Sequence, residues 1–96
     1  MKTLQEVQSA LQRSKPFLLA NYPIESLAIF GSYARNEQLA ESDVDIMVAF
    51  NGKIGLRFVD LAEEIEQLLG LRVDLVSRDG VKERYYETIK PDLIYV

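Results

Sequence analysis

Gly31-Ser32-Tyr33-Ala34-Arg35-Asn36-Glu37-Gln38-Leu39-Ala40-Glu41-Ser42-Asp43-Val44-Asp45 decides how this chain is read. A glycine and a serine follow a short apolar run, Ser26 to Phe30. After ten intervening residues, Asp43 and Asp45 open a second apolar run that reaches Phe50. A glycine turn at a strand end offers backbone N–H groups to an anion, and two carboxylates one residue apart can hold a hard cation. Together they suit chemistry on a nucleoside triphosphate.

Asp43 and Asp45 lie about 6.6 Å apart along one strand face, at about 3.3 Å per residue. Along this strand Val44, Ile46, Val48 and Phe50 point one way, and Asp43, Asp45, Met47 and Ala49 point the other. Asp74 stands within a third apolar run, Arg72 to Ser77, where a lone charge is costly unless compensated. If the two strands are neighbours, Asp74 completes a three-carboxylate cluster that repels itself without a cation. Alone, Asp-x-Asp more often marks a strand that begins at its solvent end, with Asp74 facing solvent, and a lone Gly31-Ser32 is far more often a simple turn with Ser32 as a helix N-cap. Arg35, one turn into the following helix, can reach a triphosphate with two parallel hydrogen bonds or sit solvated on the surface. The G-x-x-x-x-G-K-[ST] phosphate loop is absent, and Asp43 does not begin an EF-hand loop.

Composition narrows the chemistry. The 96 residues contain neither cysteine nor histidine, which excludes thiolate nucleophiles, zinc–sulfur sites and the commonest general base. Any base is then a carboxylate, or the chemistry needs little from a base. The net charge of −4 disfavours direct binding to nucleic acid. No apolar run is long enough to span a membrane, and the amphipathic start, Met1 to Glu6, lacks a signal peptide's apolar core. A cytoplasmic location is expected. The length predicts one domain over residues 1–96, with one core and no second substrate domain.

The pattern predicts helices packed on a small mixed sheet, α/β or α+β, in the order α-β-α-β-α-β-α with a possible last strand at 93–96. The first helix runs from Thr3 to about Ser14, with Thr3 and Glu6 as a capping box. Pro16 is expected to kink it or begin a second helix with Phe17, Leu18 and Leu19 facing the core. A short helix is expected over 33–38. A longer one is expected over 56–69, with Phe58, Leu61, Ala62, Ile65, Leu68 and Leu69 on its apolar face and Gly70 as its left-handed stop. Asp79 is expected to cap a helix over 80–89. Of Tyr85 and Tyr86 on that helix, one is expected in the core and the other exposed, as at a protein interface.

Gly31-Ser32, ten residues, then Asp43-Val44-Asp45 resembles the G-S-x10-D-x-D motif of the DNA polymerase β-like nucleotidyltransferases. More closely, the chain resembles the minimal nucleotidyltransferase (MNT) proteins that accompany HEPN-domain toxins. The likeness extends over Leu27–Phe30, Gly31–Arg35, Ser42–Val48 and Val73–Val76. One departure is Asn36, where the family commonly has glycine; asparagine tolerates the left-handed conformation better than most residues. The resemblance implies the polymerase β-like fold. It implies that Gly31 and Ser32, with Arg35, hold the nucleotide phosphates, that Asp43 and Asp45 hold two magnesium ions, and that Asp74 is the third carboxylate. It further implies a protein adenylyltransferase and antitoxin, moving AMP from ATP to a tyrosine of a cognate HEPN RNase toxin in a hetero-oligomer. A non-catalytic toxin-binding antitoxin and an aminoglycoside-type nucleotidyltransferase are the alternatives. The latter group normally adds a helical domain that this chain has no room for.

Overall fold

The structure, a computed structural model, describes residues 2–96; Met1, at the head of the amphipathic start, lies outside them. Helix α1 spans Leu4–Asn21. The Thr3 hydroxyl accepts the Glu6 N–H at 3.1 Å, and the Glu6 carboxylate accepts the Thr3 N–H at 2.9 Å, completing the predicted capping box. Thr3→Ala is expected to cost about 1 kcal/mol, read as a lower midpoint in thermal denaturation. Helix α1 neither ends near Ser14 nor restarts at Pro16; one helix runs through the proline. Pro16 forfeits only its bond to the Gln12 carbonyl, at an exposed position where water can replace it. Burial of Val7, Leu11 and Leu18 holds the helix on both sides of the proline. Phe17 and Leu19 do not face the core as expected, being 49% and 42% exposed, because each is about 100° around the helix from Leu18.

Strands β1 (Ile24–Phe30), β2 (Val44–Phe50), β3 (Val73–Ser77) and β4 (Ile94–Tyr95) form one mixed sheet in the order β3-β2-β1-β4. Strand β1 is antiparallel to β2 and β4, while β2 and β3 are parallel and joined through helix α3, Arg57–Leu69. A parallel pair needs such a crossover, because a tight turn cannot reverse the chain twice. The alternation predicted for β2 holds. Val44, Ile46 and Val48 join Leu27 and Ile29 in a core covered by α1 and by Leu61, Ile65 and Leu69 of α3. Met47 lies on the other face, where it packs with Phe30 and with Ile89 of helix α4, Glu83–Ile89.

Gly70 ends α3 at φ 67°, with its N–H donated to the Glu66 carbonyl at 2.8 Å, as predicted. Leu68, expected on the buried face, is partly exposed instead. Asp79 does not cap a helix. It lies in the single 3-10 turn Arg78–Gly80, and α4 begins only at Glu83 with no side-chain cap. Tyr86 packs on the second cluster under the Arg78 guanidinium, 3.6 Å from its ring centre, while Tyr85 is exposed. Among the described residues, no helix is long and apolar enough to cross a membrane.

Candidate active site

The turn after β1 is set by Gly31. Phe30 is still extended, and Gly31 adopts φ 74°, a region that L side chains avoid. The chain then enters helix α2, Gly31–Ala34, which starts two residues earlier than expected and is shorter than the predicted 33–38. Buried Tyr33 pins α2 to the core. The helix closes with Asn36 at φ 58°. Asn36 N–H donates to the Tyr33 carbonyl at 3.2 Å and Glu37 N–H to the Ser32 carbonyl at 2.9 Å, the paired bonds of a Schellman ending. Asparagine therefore fills the left-handed position that glycine usually takes.

Gly31 also meets a carboxylate. A Cβ built on it would lie 2.0 Å from Asp45 Oδ2, so only a residue without a side chain lets the turn approach Asp45 this closely. Asp45 is opposite Phe30 on one side and Asp74 on the other, because β2 pairs with β1 and β3 in that register. The site is thus a row of three side chains across the sheet, Phe30, Asp45 and Asp74, with the Gly31 turn against Asp45. Partial burial, then the charges of Asp74 and Asp43, push the Asp45 carboxyl up to about 6, against the opposing pull of Arg35.

The protonated form of Asp45 is therefore favoured by folding. Its stabilisation is complete below about pH 3.8 and is lost as the pH rises to about 6. The metal-free chain is expected to lose roughly 1 kcal/mol from this group across that window, after discounting for solvent screening. A series of melts from pH 4 to about 7, with Asp45→Asn as the reference, measures it.

The structure does not bring all three aspartates together. Asp43 forms an exposed ion pair with Arg72 Nε at 3.1 Å, and Arg72 itself also reaches the Glu41 carbonyl. Among the described residues, no three His, Cys, Asp or Glu side chains converge as a ready ligand set. The Asp45–Asp74 pair nevertheless fits a hard cation, since two carboxylates are adjacent and one of them resists ionisation despite the charge of Arg35. Arg35 does not stand free toward a phosphate. It pairs with Glu37 at 3.0 Å and with Asp92 at 2.8 Å, tying the end of α2 to the turn before β4. Sequence reasoning missed Arg72 and Asp92; no local pattern marks either, because each pairs with a distant segment.

A nucleotidyltransferase domain is matched across residues 11–96. The chain belongs to the nucleotidyltransferase family. The protein adenylyltransferase MntA of Thermococcus cleftensis is 40% identical over 97 residues, covering 100% of this chain and 98% of that protein. A Methanocaldococcus jannaschii protein assigned by name to the same class is 45% identical over the full length of both. A solved minimal nucleotidyltransferase superposes with a TM-score of 0.82 at 32% identity, over 97% of this chain and 95% of the other. The mixed sheet with its covering helices is the fold of that nucleotidyltransferase. The fold also recurs, at a TM-score of 0.69 and 21% identity over 93% of this chain and 70% of the other, in a complex of a tri-AMPylated Shewanella oneidensis HEPN toxin with its MNT antitoxin. The chain is a nucleotidyltransferase enzyme.

Proposed function

We propose that this nucleotidyltransferase moves AMP from ATP to a tyrosine hydroxyl of a HEPN-type RNase toxin and so acts as its antitoxin. The observation that carries the reading is the Asp45–Asp74 pair set against a glycine turn whose Cβ position lies 2.0 Å from Asp45 Oδ2. Gly31 and Ser32 present the backbone of the α2 turn to the triphosphate. Asp45 and Asp74, with Asp43 nearby, would hold magnesium. When bound, magnesium offsets the charge of the triphosphate and makes the acceptor hydroxyl easier to deprotonate. Asp74 accepts the hydroxyl proton at a carboxylate oxygen. The acceptor oxygen then bonds to the α-phosphorus as the bond to pyrophosphate breaks. Arg35 exchanges one of its two carboxylate partners for a phosphate oxygen when nucleotide binds.

The names of the relatives and the toxin bound in the Shewanella complex support this acceptor class. The test is mass spectrometry of a co-expressed HEPN partner after incubation with ATP and magnesium. AMP on a partner tyrosine, lost in the Asp43→Ala, Asp45→Ala double variant, is the expected result. Full neutralisation of the toxin by that double variant would sink the reading in favour of simple binding.

A further inference from the structure

Strand β3 is an edge of the sheet. The Val44 N–H donates to the Arg72 carbonyl at 2.9 Å, which fixes the phase of the ladder. In a parallel pair only alternate residues bond across, so Asp74 and Val76 bond toward β2 while Val73, Leu75 and Ser77 turn their N–H and C=O outward. Glu66 Oε2 takes the Val73 N–H at 2.9 Å. Among the described residues nothing takes the outward N–H groups of Leu75 and Ser77. An open edge of this kind is a template for another strand.

Beside this edge lies a cavity of 460 Å³ lined by Phe58, Val76, Val81, Lys82 and Tyr85 among others. Its walls are mainly apolar, and among the described residues Lys82 is the one charged group lining it. Among the described residues no carboxylate pairs with Lys82. The open edge also passes the site. A strand added outside β3 extends the row Phe30, Asp45, Asp74 by one residue. That residue points to the same face as the two carboxylates, with its Cβ about 4.5–5.5 Å from that of Asp74. Its neighbour two positions along lies opposite Val76, at the cavity.

The geometry points to the β3 edge as the docking site of the acceptor polypeptide, which adds as an extended strand. Its hydroxyl-bearing residue sits opposite Asp74, and an apolar residue two positions away fills the cavity beside Val76, Val81 and Tyr85. Backbone bonds to Leu75 and Ser77 set the register, and an acidic group on the segment answers Lys82. The inference rests on the transfer reading for what is delivered to the hydroxyl. It adds no chemical step, since the bonds made and broken and the proton taken by Asp74 are those given above. Docking itself requires no ATP.

The experiment titrates the full, 15N-labelled chain, without ATP, with the blocked peptide TVYVLD, whose tyrosine and leucine are two positions apart. Saturable slowing of amide exchange at Leu75 and Ser77 is expected. Ser77→Pro deletes an outward donor at an edge that tolerates proline, and Tyr85→Ser opens the cavity wall. Each is expected to weaken binding at least about tenfold. Lys82→Glu is expected to weaken this peptide and to spare a version ending in lysine. Absence of slowing at Leu75 and Ser77, or equal binding by the Ser77 and Tyr85 variants, overturns the docking. Slowing that grows with protein concentration and needs no peptide also overturns it, because a second copy then occupies the edge. Peptide that docks yet gains no AMP on its tyrosine when ATP and magnesium are added upholds the edge and fails the transfer reading.

Discussion

Asp45→Asn is expected to abolish nucleotidyl transfer while making the metal-free protein more stable. Both effects come from one carboxylate. Asparagine keeps the shape of Asp45 against the Gly31 turn and removes the charge that burial, Asp74 and Asp43 all oppose. At neutral pH that charge is present and unfavourable, so its removal stabilises the folded chain by roughly 1 kcal/mol after solvent screening. Transfer should fall by about a thousandfold or more, because on the proposed reading Asp45 is one of the two carboxylates that would hold the cation. Thermal melts without magnesium, set beside a single-turnover assay with it, read the two effects. A variant that lost stability and activity together would show that Asp45 is a structural residue.

Gly31→Ala is expected to lower stability by about 2–4 kcal/mol, combining the left-handed strain with overpacking against Asp45. The new methyl would fall 2.0 Å from Asp45 Oδ2, so the carboxylate must rotate away. Gly70→Ala supplies the control. Gly70 has nearly the same backbone, φ 67° against 74°, but nothing lies within 4 Å of its missing Cβ. It should cost only the conformational part, about 1 kcal/mol. Urea denaturation of the two variants separates backbone strain from the collision. Equal losses would show that the close approach to Asp45 has no energetic weight.

Features encoded within a few residues were legible in the sequence. Thr3 and Glu6 are three apart and cap α1, Gly70 stops α3, Asn36 takes the left-handed position, and the alternation from Val44 to Phe50 separates the two faces of β2. Each depends on the local backbone period or on one residue's preferred dihedral angle. The errors are of another kind. Pro16 reads as a break, but tertiary burial of Leu18 outweighs one lost hydrogen bond. Asp79 reads as a cap, but the chain first crosses from β3 to the opposite layer in a tight 3-10 turn. Arg35 reads as a phosphate ligand or a solvated arginine; Asp92, with which it pairs here, comes from 57 residues later. Asp43 reads as one of a cluster or as the solvent end of a strand; here it pairs with Arg72, from a distant segment. That Asp74 would stand beside Asp45 was conditional on strand adjacency, which spacing alone does not reveal; the parallel register supplies it.

On the proposed reading, the same register also ties the cation to strand pairing. Side chains alternate along a strand, so a slip of one residue between β2 and β3 would set Val73 or Leu75 beside Asp45 and turn Asp74 toward the opposite layer. Only the native alignment brings the two carboxylates within reach of one ion. A cation held by both carboxylates, as proposed, would therefore favour the native pairing over the slipped ones.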